Sequence, residues 1–118
     1  MIFHITTPET WETAQLINKY ESTSLEKEGF IHCSTKSQVI NIANTFYSDY
    51  EQLIVLEINP DKLLAEIKWE SPVHPNPDLE YNINDTEKLP HVYGVINLDA
   101  VEKIIYLCKD NQGLFKTF

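Results

Sequence analysis

A chain of 118 residues, 42% hydrophobic and 23% charged, has the size and composition of one globular domain around one core, which argues against disorder across the chain. The formal net charge is −9, and all nine cationic side chains are Lys, in no run, so the clustered cations that a nucleic-acid backbone needs are missing, as is the Arg fork that clamps phosphate. A local pocket for one phosphorylated ligand stays open, because helix N-termini and backbone amides bind phosphate without Lys or Arg.

The chain opens on an apolar strand, Met1 to Thr6, so no leader segment is expected. Thr7 suits an N-cap, Pro8 the first helical position and Glu9 the first turn, and Trp11, Ala14, Leu16 and Ile17 follow helical spacing. Residues 19–29 are polar and read as a loop with one turn, ended by Gly29. Phe30 to Ser34 reads as a short strand. Thr35 to Tyr50 reads as a second helix, capped by Ser34 or Thr35, with an apolar stripe through Val39, Ile40, Ile42, Ala43, Phe46 and Tyr47. Gln52 to Ile58 reads as a buried strand stopped by Asn59-Pro60-Asp61, with a helical turn at Leu63 and Leu64 and another strand over Ala65 to Glu70. Residues 71–90 carry four Pro and many Asn and Asp, a loop of a length that is unusual in a compact domain and often functional. Strand entry is expected at Tyr93 to Val95, a turn or short helix at Leu98 to Val101, a final strand over Lys103 to Lys109, a turn at Asn111-Gln112-Gly113 and one more strand at the C-terminus. Six strands and two main helices without regular βαβ alternation predict an α+β fold in a single domain, 1–118.

Two Cys, 33 and 108, make no disulfide framework, and no apolar stretch approaches the roughly 18 residues of a membrane span. The cytoplasm is the expected location.

The chemistry concentrates in Glu28-Gly29-Phe30-Ile31-His32-Cys33-Ser34. In a strand, His32 and Ser34 share a face with Phe30, and Ile31 and Cys33 take the other. His4 lies on the first strand opposite Phe3 and Ile5. His91 follows the long loop, with Tyr93 two positions on. His74, in the Pro-rich loop, is assigned no role. A lone strand His is commonly a hydrogen-bonded structural residue, so the functional reading rests on His4, His32 and His91 converging around a polar pocket with Ser34. A metal site is not expected: no CxxC, HxxxH or CxxH spacing occurs, and His32 and Cys33 should point apart. Adjacent Cys and His on a strand disfavour a Cys–His hydrolase, and Ser34 lacks nucleophile-elbow glycines.

His4, Trp11, Ser24-Leu25, the EGFIHCS string at 28–34, Gln38, Ala43-Asn44, Phe46, Leu56-Glu57-Ile58, Trp69-Glu70, Pro90-His91-Val92-Tyr93-Gly94 and Leu98 to Val101 together resemble the bacterial family called domain of unknown function 952. The resemblance runs from Ile2 to about Leu107, with 108–118 as a C-terminal extension. It implies a fold similar to ADP-ribosyltransferases, split small twisted sheets around a cleft, and hence binding of NAD or a related nucleotide with transfer or cleavage at the ribose carbon. By position, His4 resembles the first-strand ligand-holding residue and Ser34 the second-strand one, with His32 beside it. Glu70 is the candidate carboxylate for an oxocarbenium-like transition state, with Glu28 second. Tyr93 is placed to stack on a flat ring. The catalytic candidates are therefore Glu70, His32 and His91; the ligand-binding candidates are His4, Ser34, Tyr93, Ser24 and Glu28. No strand-ending Glu-x-Glu or Gln-x-Glu pair occurs, and the Arg used by the 2′-phosphotransferase branch is missing. Two other readings stay open: a non-catalytic module for a nucleotide or small metabolite, and a partner-binding protein whose polar face is an interaction surface.

Overall fold

The computed structural model describes residues 1–71 and 88–116. Six strands form two antiparallel three-stranded sheets, and three helices accompany them. The first sheet has the order β1 (Ile2–Thr6), β3 (Gln52–Ile58), β6 (Val101–Cys108); the second has the order β2 (Ile31–His32), β5 (Leu89–Tyr93), β4 (Glu66–Glu70).

The first sheet is covered on both faces. Ile2, Ile54, Leu56 and Ile58 pack with Trp11 and Ala14 of α1 (Pro8–Ile17) and with Ile31, Cys33 and Val92 of the second sheet. Phe3, Ile5, Leu53, Val55 and Leu107 pack with Val39 and Ala43 of α3 (Val39–Phe46) and with Phe115. A central strand buried on both sides has no polar alternation, which is why β3 reads as the run Leu53-Ile54-Val55-Leu56.

The segment 31–34 stitches the sheets together. The Cys33 N–H donates to the Pro90 carbonyl at 3.0 Å, and one residue later Ser34 exchanges both backbone hydrogen bonds with Phe3 of β1, at 2.7 and 2.9 Å. A second bridge joins Tyr20 and Ile96, reached by the left-handed turn at Asn18 (φ 59°) that ends α1.

Several local expectations hold and others shift. Thr7 caps α1, accepting from the Thr10 N–H at 3.2 Å, with Pro8 in the first turn. The polar loop 19–29 contains α2 (Thr23–Glu28), closed by Gly29 at φ 88°, which a residue with a Cβ rarely adopts. The helix expected over 35–50 is shorter: a 3-10 turn at Lys36–Gln38 leads into Val39–Phe46. The strand expected at Tyr93–Val95 instead runs Leu89–Tyr93, through Pro90. Pro90 is tolerated there beside the point where β2 leaves for the first sheet, still offering its carbonyl to Cys33. Among the described residues no further strand follows the turn at 111–113. Phe115 is instead buried, with its N–H donating to Asn44 Oδ1 at 2.9 Å and its carbonyl accepting from Asn44 Nδ2 at 2.7 Å. The loop expected at 71–90 lies, between 72 and 87, outside the described residues, as does His74. Among the described residues no helix is long and apolar enough to cross a membrane.

Candidate functional site

The second sheet has an apolar face and a chemical face. Ile31 and Val92 turn into the core with Ile67 packed against them, so pleating sends their neighbours the other way. The register aligns His32 with His91 and His91 with Lys68, one cross-strand row on the face opposite Ile31 and Val92, with His91 buried at its middle. Around this row lie Phe30, Tyr93 and Glu70. Phe30 stacks on the His91 ring at 4.2 Å between centroids, meets His32 edge-on at 4.8 Å and lies 5.3 Å from Tyr93. The His32 and His91 rings are 5.5 Å apart.

Glu70 organises the end of this face. Its Oε1 accepts from the Tyr93 hydroxyl at 2.5 Å and lies 2.8 Å from His91 Nδ1. These two bonds, the Tyr93 bond first, hold the carboxyl below its usual range, so Glu70 is an anion at neutral pH. The same bond pushes the Tyr93 phenol upward. Lys68 Nζ sits 4.6 Å from the Tyr93 ring centre, a cation over an aromatic face. An anionic acceptor fixes a proton at His91 Nδ1, and the ring's other nitrogen is Nε2. That nitrogen is buried and has no hydrogen-bond partner among the described residues.

His4 stands apart from this face. Nδ1 is 2.6 Å from the His32 carbonyl, and Nε2 is 2.6 Å from the Tyr20 hydroxyl, which lies 2.9 Å from Thr6 Oγ1. Burial drives the ring's pKa down to about 4, so it is neutral. A carbonyl only accepts, so Nδ1 carries the proton. The Tyr20 hydroxyl bridges His4 Nε2 and Thr6 Oγ1. Both nitrogens of His4 are thus engaged within the protein.

The two regions meet at His32. A cleft of about 280 Å³ is lined by His4, Tyr20 and His32, by hydroxyls from the starts of α1 and α2, among them Thr10, Ser22 and Ser24, and by Tyr47 and Tyr50 beyond α3. His32 Nε2 lies 3.1 Å from Glu28 Oε2, one helical turn earlier in sequence. Burial lowers the His32 pKa and Glu28 partly opposes this. The expected convergence is therefore partial. His4 and His32 share the cleft, and His91 joins His32 on the sheet face. Glu28, Glu70 and Tyr93 each hold one of the imidazoles or its neighbour, and Ser24 lines the cleft, hydrogen-bonded to Ser22 at 2.7 Å. Ser34 does not line it: it is buried at the bridge to Phe3, where the chain has already left the second sheet. Cys33 turns into the core, away from His32, and burial pushes its thiol well above the usual range. Among the described residues no group of three His, Cys, Asp or Glu side chains could hold a metal ion.

Sequence reasoning missed Tyr20, Thr10, Tyr47, Tyr50 and Lys68. The one local signal was Tyr20, a lone aromatic in a polar stretch.

The fold and site define an α+β protein of two small antiparallel sheets, whose polar cleft opens beside a histidine-bearing sheet face. The chain belongs to the family described as protein of unknown function (DUF952), whose model matches residues 5–104. Similar solved structures include a crystal structure of protein CC0527 from Caulobacter crescentus, 22% identical, with a TM-score of 0.79 over 98% of this chain and 92% of that one. A solution NMR structure of the same protein is 23% identical, with a TM-score of 0.70 over 96% of this chain and 89% of that one. At this identity the likeness is one of fold. No curated protein matches the chain.

Proposed function

We propose that the protein binds NAD or a related ribosyl compound beside the His32–His91 row and acts on the bond between the ribose carbon and the base. The observation that carries this reading is the Glu70 carboxylate, ionised and aimed by Tyr93 and His91 next to an aromatic surface. Breaking a C1′–N bond sends its electron pair to the departing base and leaves positive charge on the ribosyl ring. A fixed anion beside that ring stabilises the charge without having to reorganise. Water or an acceptor hydroxyl then attacks C1′ and gives up its proton, for which the part-exposed His32 imidazole, which lines the cleft, is the acceptor of suitable chemistry. Tyr93, half-buried and backed by Phe30, offers a ring for a nicotinamide or adenine, and His32 and Ser24 offer polar contacts to the sugar. The two small sheets around a cleft fit the ADP-ribosyltransferase-like arrangement that the sequence resemblance implies.

The test is nicotinamide release from NAD by the wild-type chain and by Glu70→Gln, with binding followed by saturation-transfer NMR. The expected result is release that falls by roughly 10²- to 10³-fold in Glu70→Gln while binding changes only a few-fold. A second reading, ligand binding without chemistry, is favoured by one observation: both nitrogens of His4 are already engaged inside the protein. It predicts thermal stabilisation by the ligand with no product and little effect of Glu70→Gln. Silence from NAD, NADP, ADP-ribose and nicotinamide riboside alike at millimolar concentration contradicts both.

A further inference from the structure

The cleft next to His32 differs in character from the sheet face. Its lining is rich in hydroxyls, from Thr10, Tyr20, Ser22 and Ser24 among others, and among the described residues no Lys belongs to it. Glu21 also lines it. A neighbouring hollow of about 360 Å³ shares Glu21, Ser22 and Thr23 with the cleft and runs on to Leu25 and Glu26. Among the described residues, a ligand seated at His32 and extending along α2 therefore meets the carboxylates of Glu21 and Glu26 and no cation of the lining.

Hydroxyls donate and accept at once, which suits the vicinal hydroxyls of a sugar. Thr10 is hydrogen-bonded to Thr7 at 2.8 Å and Ser22 to Ser24 at 2.7 Å, so each pair is held in place and retains capacity for another bond. The start of α1 would attract an anion by its dipole, but Thr7 already takes the Thr10 N–H and Glu9 stands in the first turn. The cleft's own volume, about 280 Å³, has room for a nucleoside, and the hollow beside it has room for more, so it is the carboxylates and not size that select against phosphate.

From this lining we infer that the ligand portion the cleft takes is an unphosphorylated N-riboside, neutral or cationic at the base, and that a phosphate on the sugar is rejected by Glu21 and Glu26. This rests on the proposed ribosyl chemistry and narrows its substrate class from nucleotides to nucleosides.

Calorimetric titration of the full chain with nicotinamide riboside, nicotinamide mononucleotide and NAD tests it. The riboside is expected to bind at least tenfold more tightly than either phosphorylated compound. Raising NaCl from 20 to 200 mM should weaken the cationic riboside and strengthen the mononucleotide, because salt screens attraction and repulsion alike. Glu21→Lys, a change at an exposed position, should bring the mononucleotide level with the riboside or ahead of it. Equal or tighter binding of the mononucleotide or NAD by the wild-type chain overturns the inference and leaves the ribosyl reading standing. No heat from any of the three overturns both.

Discussion

His4 and His91 are both buried imidazoles, yet their surroundings give them opposite characters. His4 has a carbonyl on one nitrogen and a phenol on the other, and burial holds its pKa at about 4 against an ordinary 6.5. The unfolded chain takes up this proton first as pH falls, so stability is lost from about pH 6.5 down to about pH 4. Between pH 7 and pH 5 the loss from His4 is on the order of 2 kcal/mol, and His32, also lowered, adds in the same direction. Urea unfolding at the two pH values checks this; His4→Gln should remove more than half of the difference. Tyr20→Phe leaves His4 Nε2 buried and unpartnered and should cost about 1–3 kcal/mol by the same measurement. The sequence made three imidazoles and their strand positions visible, because apolar alternation locates a strand His. It could not reveal Tyr20, whose hydroxyl reaches His4 only because a left-handed turn at Asn18 and the bridge to Ile96 fold that loop inward.

The elements tell a similar story. Strands β1 and β3 and the start of α1 were legible because apolar runs and cap residues are local signals. Strand β5 was displaced because Pro90 reads as a break, whereas here it sits where the adjoining strand departs. The departure of Ser34 from the pocket has the same origin. A two-residue strand that switches sheets one residue later has no signature in alternation alone. The C-terminal segment behaves as part of the core, since Asn44 brackets the backbone of buried Phe115. Asn44→Ala should cost about 1–3 kcal/mol and expose the chain around Phe115, measured as faster chymotryptic cleavage there under native conditions. Wild-type-like resistance would mean that apolar packing alone retains the tail.

For the molecule as a whole, two half-sheets sharing one core carry a row of His32, His91 and Lys68 with His91 buried at its middle, flanked by Glu70 on one side and joined to the hydroxyl cleft through His32 on the other. A fixed anion, a part-exposed imidazole and an aromatic ring suit a reaction in which positive charge grows on a ribosyl ring; the surplus of acid over base suits a substrate without phosphate. The most direct measurement is a two-bond proton–nitrogen correlation spectrum of the histidine rings during titration with nicotinamide riboside. The account predicts that the His32 and His91 nitrogens shift with saturation while His4 stays neutral and protonated at Nδ1. Unmoved His32 and His91 signals, with any perturbation confined to His4 or to none of the rings, would contradict it.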